Sequence, residues 1–557
     1  MERGSAGARE ASPLSPRGGG DGGLLRRIRG QIPVGFKAEL TKISRLAFPL
    51  VMARLMVSLV SFVSSIFCGH LGKTELAAVT LAIAVVNVTG ISVGYGLSSA
   101  CDTLISQTYG AGNLLRVGVI LQRGILVLML ACFPCWAILV NTESILLAVR
   151  QTPEVARLSQ MYVKIFMPAL PATFFYSLES KYLQNQGIIW PQVITGVVVN
   201  GLNALTNYIF LHGLNMGVAG SALANTISQF SLAGLLYAYI MWKGLHKATW
   251  GGWSKECLQD WGSFIHLAIP GMVMLCVEWW TYEIGSFLAG LISEVELGAQ
   301  AVVFELTSIA YMFPAGFGVA GTVRVGNALG AGDTAQAKLS AKLAIFCAGS
   351  VSVCFSVLLG SLKDYVAYVF TYDTQIRERV AEVIRLYAPF LFLEGLSVAL
   401  DSIIYGAGKQ RVGAVCNVVG YYGVALPVGL SLMFAAKLGI KGLWIGMFVC
   451  VFLQSAVLIL YLIRMNWKKA TAEAQIRAGA HADSTETSAG QHGPGFSEGH
   501  TDTVELSEAA NEAAAQAAEK RLSNRDLVLR RGLALAGTLF ILAAGIITNL
   551  LITNLVT

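Results

Sequence analysis

The sequence predicts an all-α polytopic membrane protein: two six-helix lobes related by a pseudo-two-fold axis, followed by a thirteenth transmembrane helix. Three observations carry that prediction. Of the 557 residues, 55% are hydrophobic and only 13% charged, with a mean hydropathy of +0.61; a soluble domain carries about 25% charged residues. Apolar runs recur along the chain, each long enough at about 1.5 Å per helical residue to cross a hydrocarbon core of ~30 Å. Segments of the first six runs return in the next six at a nearly constant offset.

The elements follow in order. Residues 1–40 form a cytoplasmic tail rich in Gly, Ser and Arg, without the apolar stretch of a signal peptide. The first lobe, 41–242, holds spans near 43–68, 76–100, 117–141, 159–181, 190–212 and 217–242. A polar connector at 243–262 carries Lys243, His246, Lys247 and Lys255. The second lobe, 263–465, holds spans near 263–290, 297–321, 339–361, 381–405, 411–436 and 440–464. Residues 466–529 are polar and poor in aromatics, which predicts a disordered cytoplasmic linker with one short helix in the Ala/Glu-rich patch at 507–520. Arg530 and Arg531 then introduce the last span, 530–557.

Basic residues set the orientation. Arg26, Arg27, Lys37, Lys42, Arg116, Arg123, Lys181, Lys243, Arg324, Lys338, Lys409, Lys468 and Arg530 cluster on one set of flanks. The opposite loops mix fewer cations with acids, as in Lys363-Asp364. The positive-inside rule puts the N-terminus and both linkers in the cytoplasm and, after thirteen crossings, the C-terminus outside.

The repeat decides the architecture. Residues 98–113 (SSACDTLISQTYGAGN) align with 318–333 (GVAGTVRVGNALGAGD), and 164–187 with 385–408, Pro168 falling on Pro389. Gly217 and Gly220 fall on Gly439 and Gly442. Equivalent spans are separated by an even number of crossings, so the halves share one orientation, with a substrate site expected between them near mid-depth.

Against that repeat the acids are one-sided. The seventh span, LAIPGMVMLCVEWWTYEIGSFLAG, buries Glu278 and Glu283 in an apolar run, at a cost of roughly 2.5–3.5 kcal/mol for each charge at bilayer depth. Five residues apart, they lie about 140° from one another around a helix, so they share no narrow face. Glu305 and Glu394 add two more. Their first-half counterparts are Ser58 for Glu278, Val63 for Glu283, Val85 or its neighbour for Glu305 and Thr173 for Glu394. The first half offers Asn87, Arg54, Asp102 and Glu179 instead. Asn87-Val-Thr has the form of a glycosylation sequon but lies mid-span, where Asn87 reads as a hydrogen-bonding side chain. Asp102 and Glu179 lie near a span end and beside Lys181, which predicts solvated or paired groups; Arg54 calls for a partner the sequence does not name.

Other motifs are absent or misleading. Gly72-Lys73-Thr74 looks like the end of a phosphate-binding loop but lacks the first glycine that such a loop needs. Cys132 and Cys135 match C-x-x-C but lie in an apolar span with no second pair, which reads as packing. No metal-spaced His/Cys set and no hydrolase or nucleotide motif is present. The expectation is a non-enzyme without cofactor, metal, nucleotide or nucleic-acid partner, monomeric in the bilayer; the net charge of +7 comes from membrane flanks and not from a basic stripe.

The tandem repeat, the GAGN and GAGD turns after spans two and eight, and CVEWWTYEIGSF in span seven resemble the multidrug and toxin extrusion (MATE) family. The last span, VELGAQ, MFPAGFGVAGTVRVGNALGAGD, FCGHLG and AVVNVTG resemble its vertebrate branch. The resemblance covers residues ~40–464 and the terminal span. It implies a V-shaped fold in the plasma membrane, apical in epithelia, and exchange of protons for small organic cations. It carries proton and substrate coupling onto Glu278, Glu283, Glu305 and Glu394, and a polar role onto Asn87. Two departures bear on substrate range: Arg54 replaces a neutral polar residue of the first span, and Phe304 replaces a Tyr beside the span-eight acid.

The chemistry suits such exchange. A desolvated carboxyl holds a proton or a cation but hardly both, and at ~4 Å and an effective dielectric near 20 the cation is worth about 4 kcal/mol. Trp279, Tyr282 and Tyr311 are the expected cavity aromatics, each offering cation–π contacts of roughly 0.5–2 kcal/mol. Alternatives are sodium coupling on the same fold and a lipid-linked saccharide flippase, whose cavity would be rich in cations.

Overall fold

The structure, a computed structural model, describes residues 35–480 and 521–556. Most of the expected tail and the patch at 507–520 lie outside the described residues. Helices account for nearly all of the rest. They are α1 (Phe36–Gly69), α2 (Thr74–Gly110), α3 (Leu114–Leu139), α4 (Pro153–Phe166), α5 (Leu170–Gln184), α6 (Trp190–Gly213) and α7 (Val218–Lys243). After the connector come α8 (Trp261–Ile292), α9 (Glu294–Gly330), α10 (Thr334–Ser361), α11 (Thr374–Ala407), α12 (Gln410–Ala435) and α13 (Ile440–Arg464). Two more, α14 (Trp467–Ala478) and α15 (Asn524–Val556), complete the chain.

Among the described residues, 11 helices are long and apolar enough to cross a membrane, α15 among them. The fourth and sixth expected spans are helical but fall outside that set. The fourth is two helices, α4 and α5, joined by a 3-10 turn at Met167–Ala169, where Pro168 removes a backbone donor. The sixth, α7, carries buried Asn225, Thr226, Ser228 and Gln229, which lower its hydropathy because they bond inside the protein. Three helices contain π-helical turns: α2 at Asn87–Ile91, α6 at Ile209–Gly213, and α12 at Val418–Ala425 and Ser431–Ala435.

The buried apolar residues fall into clusters that follow the duplication with two exceptions. The largest joins α1 to α7, but it also takes in Trp261, Phe264, Leu267 and Ala268 of α8. A second surrounds Tyr387, Phe390 and Trp444 on α11 and α13. A small one, Ile43, Ala47 and Leu50 with Ala320, Leu343 and Cys347, fastens α1 to α9 and α10. All ten cysteines are free, and Cys132 and Cys135 are buried packing groups.

The halves meet through backbone. A side chain on Gly110 would strike the carbonyl and Cα of Asn327; one on Gly330 would strike those of Gln107. Gly110 and Gly330 are repeat equivalents, as are Gln107 and Asn327, so the contact is reciprocal, in the way of an isologous interface. Gly96 against Met272 and Gly316 against Val51 repeat the pattern farther along α2 and α9. The GAGN and GAGD motifs thus bring two helices to backbone distance, as small residues do in membranes.

Polar bonds tie this same end. Glu39 of α1, 2% exposed, takes a two-pronged bond from Arg324 of α9 at 2.8 and 2.7 Å. Gln336 Nε2 and Ser340 Oγ of α10 donate to it at 2.6 and 2.7 Å. Gln107 Nε2 donates to the Gly406 carbonyl at 3.0 Å and Gln410 Nε2 to Thr103 Oγ1 at 2.6 Å. Among the described residues, the polar links between the halves reach no farther than Ser58 with Met312 and Trp280 with the Val88 carbonyl.

Two stretches depart from the expected linker. Residues 467–478 are the helix α14, not disordered chain. Ala470, Ala474 and Ala478 are buried on one face, Lys409 pairs with Glu473 at 2.6 Å, and Asn113 Nδ2 reaches the Ala478 carbonyl at 3.3 Å. Its polar composition hid an i, i+4, i+8 alanine stripe. The last helix starts at Asn524 and lies along α3. Asn141 Nδ2 donates to the Gly545 carbonyl at 3.0 Å, and Asn549 Nδ2 to that of Val140 at 3.1 Å.

Gly110→Ala is expected to lower the thermal midpoint of the purified protein, since overpacking costs roughly 1–3 kcal/mol and the obstacle is backbone. Gly234→Ala, with open space around it, should leave the midpoint unchanged.

Candidate functional site

The site is built on α8 and α11. On α11, Tyr387, Glu394 and Asp401 recur every seven residues and so share one face, with Tyr405 one turn on. Glu394 is 6% exposed. Such a carboxyl needs donors, because an unpartnered buried polar group costs about 1–3 kcal/mol. It has two: Tyr387 donates to Oε2 at 2.8 Å and Tyr282, from α8, to Oε1 at 3.0 Å. Trp444 of α13 locks both phenols, its ring 5.5 Å from that of Tyr387 and 6.2 Å from that of Tyr282. The Trp444 indole is in turn held by Gln300 Oε1 at 3.0 Å.

Glu278 lies one turn before Tyr282 on α8 and is within electrostatic reach of both Glu394 and Asp401. Tyr311 of α9 and Tyr421 in the π-helical part of α12 also feel its charge. Three carboxyl groups and five tyrosines (282, 311, 387, 405, 421) therefore share one region of the second half. Asp401 Oδ1 is buried with no hydrogen-bond partner. Sequence reasoning missed Asp401, although two signals pointed to it: it stands seven residues after Glu394, and its repeat equivalent is Ser180, the same asymmetry that singled out Glu394.

The other expected residues scatter around this core. Glu283 is half-buried and Glu305 exposed, and among the described residues no hydrogen bond or ion pair joins either to the cluster. Trp279 is half-buried beside Glu278. Asn87 opens the π-helical turn of α2, a distortion often found at functional positions. Arg54 is exposed, and its charge reaches Tyr95 of the first half and Tyr311 of the second. The expectation for Asp102 holds: it pairs with Lys181 at 2.5 Å. That for Glu179 does not. It is 3% exposed and both carboxyl oxygens lack a partner, because Lys181 is committed to Asp102, two residues on and so on another face.

Chemically, a buried carboxyl group can hold either a proton or a cation. No group of three or more His, Cys, Asp or Glu side chains among the described residues converges as metal ligands do.

Comparison with known proteins bears on the same regions. A family model described as MatE matches residues 49–209 and again 270–430, two stretches separated like the internal repeat. The chain is 58% identical over 550 residues to multidrug and toxin extrusion protein 1 of Danio rerio, covering 95% of this chain and 93% of the relative. It is 52% identical to the Homo sapiens protein of that name, covering 96% and 98%. Among solved structures, a eukaryotic MATE transporter, AtDTX14, superposes with a TM-score of 0.77 at 28% identity, over 80% of this chain and all of that one.

Removing one phenol tests the support of Glu394. Tyr387→Phe should lower the thermal midpoint at neutral pH, and a double-mutant cycle with Glu394→Gln should return a coupling energy of about 1–3 kcal/mol. Tyr365→Phe, exposed, is the control expected to change nothing.

Proposed function

This chain belongs to the multidrug and toxin extrusion family, and from that premise we propose that it exports organic cations across the plasma membrane in exchange for protons. The reading rests on one observation above others: Glu278, Glu394 and Asp401 share a tyrosine-rich region of the second half. With their negative charges repelling one another, they gain by taking up either a proton or a cation. Binding of one expels the other, and that exclusion is the coupling step. Glu283 and Glu305, farther out, belong to the route by which ions arrive. Asn87, Trp279, Tyr282 and Tyr311 are read as cavity wall, the aromatic faces holding flat cations of many shapes.

Access would alternate between the two sides of a two-lobe body. The end closed by Glu39 and Arg324 is cytoplasmic by the distribution of basic residues, so the present arrangement is outward-facing. Proton uptake from outside releases the cation; the Glu39 network then opens to let protons leave and a new cation enter. The C-terminus of α15 is placed outside by the same rule.

The test is flux of a small labelled cation in proteoliposomes, with pH and sodium gradients imposed separately. One pH unit supplies ~1.4 kcal/mol per proton, or about tenfold accumulation for one-for-one exchange. Flux that follows sodium and ignores pH overturns the proton assignment. Glu278→Gln and Glu394→Gln should each cut pH-driven flux severely at normal surface expression, while Glu→Asp at either site should weaken it and change preference among cations. Full activity in both Gln variants would remove the carboxyl cluster from the mechanism.

Arg324→Ala leaves the Glu39 charge buried without its main partner, a loss of about 3–5 kcal/mol for the closed end. Reactivity of a cysteine placed at Thr103 toward a membrane-impermeant thiol reagent should rise when the reagent is applied from the cytoplasmic side.

A further inference from the structure

A cleft of about 360 Å³ lies between α15, α3 and the start of α8, away from the carboxyl cluster. Its wall on α3 is the face formed by Leu126, Met129, Leu130, Phe133 and Trp136. From Leu126 to Trp136 is about 15 Å of helix, half of a ~30 Å hydrocarbon core, or one leaflet. Leu535 of α15 closes the opposite side, and the lining is apolar except at one end.

That end is cationic. Arg531 stacks on Trp261, 4.1 Å from the ring centroid, and donates Nε–H and one Nη2–H to the Leu258 carbonyl at 3.0 and 2.8 Å. Among the described residues its remaining donors have no partner. Arg530 beside it is exposed and without an ion pair among the described residues. Arg123, one turn before Leu126 on the same face of α3, is 6% exposed, its Nη2 3.4 Å from the Glu256 carbonyl and its Nε buried with no partner. The acids in this region are Asp260, which takes a bond from Ser263, Glu256, engaged by Arg521 at 3.7 Å, and Asp526, one turn before Arg530 on α15. Arg123, Arg530 and Arg531 thus outnumber Asp260 and Asp526, the two carboxylates of this region without an ion pair among the described residues.

We propose that this cleft binds an anionic phospholipid, one acyl chain along α3 and the phosphate against Arg530 and Arg531. A one-leaflet apolar groove open to the bilayer fills with a chain, because water gains nothing there and protein supplies none. The surplus of arginine at the headgroup level selects negative lipids, as basic pockets between membrane helices do. The bound lipid then mortars α15 to α3, adding to the two asparagine bonds farther along.

The test is native mass spectrometry of the full-length protein, delipidated in detergent and mixed with equal amounts of phosphatidylglycerol and phosphatidylcholine of the same chains. One retained phosphatidylglycerol per protein is expected, preferred by about tenfold or more. The Arg530→Gln/Arg531→Gln double variant should lose the preference. Leu535→Trp, which fills the cleft and leaves the charges in place, should lose retention of both lipids, and inorganic phosphate should not displace the lipid from the native protein. Equal retention of the two lipids by the native protein, or a preference that survives both variants, overturns the proposal.

Discussion

The molecule depends on how closely α2 and α9 approach one another. In a bilayer the hydrophobic effect does not press helices together, since lipid tails are as apolar as leucine; close packing and internal hydrogen bonds must do it. Gly110 and Gly330 supply the packing by letting each helix touch the other's backbone. The hydrogen bonds of Gln107 and Gln410, and the shell around Glu39, are laid over that contact and would have no geometry without it. Because the backbone contact runs no farther than Gly96 and Gly316, and the polar links no farther than Ser58 and Val88, the halves are free to part beyond them.

Within this symmetric frame the polar chemistry is divided. The first half buries amides and hydroxyls that satisfy one another, as where Asn203 donates to Ser228 at 2.7 Å and Asn207 to Asn203 at 3.0 Å. The second half buries acids held by phenols. Amide networks stiffen a helix bundle without changing charge, whereas carboxyl groups change charge with their surroundings. The two copies of the scaffold thus differ in what they bury, although the first also holds one unpartnered carboxyl group, Glu179. α8 crosses the division: its first turns sit in the first half's core, and its middle carries Glu278 and Tyr282.

How much of this was legible in the sequence follows from what each feature is made of. Spans are written in composition, so eleven of the expected ones could be read as helices long and apolar enough to cross a membrane; the other two are the one broken at Met167–Ala169 and α7 with its polar face. Glu278 and Glu394 were legible because acids in apolar helices stand out against their repeat equivalents. Asp401 escaped because it stands nearer a span end, where an acid reads as solvated; only its heptad spacing from Glu394 betrays it. Glu179 was misread because neighbours in sequence on a helix point apart, and Lys181 turns to Asp102. The helix α14 was missed because its apolar face is alanine, which hydropathy scarcely registers. Which acids converge is a matter of how α8 meets α11, and no local pattern carries that.

The buried cluster around Glu39, as the gate proposed above, has a consequence for reversibility. A gate sealed by hydrocarbon side chains gains from staying dry, so water entering it meets a penalty at every step. A gate sealed by a carboxylate and a guanidinium is different in kind. Both groups gave up hydration to enter the protein, and their attraction roughly offsets that loss and no more. When the gap widens far enough for water to enter, each recovers its hydration shell as the bond breaks. The two end states then lie near each other in free energy, while half-open arrangements, neither bonded nor hydrated, lie above both. Such a seal is tight when shut and readily opened in full, and it spends little time between.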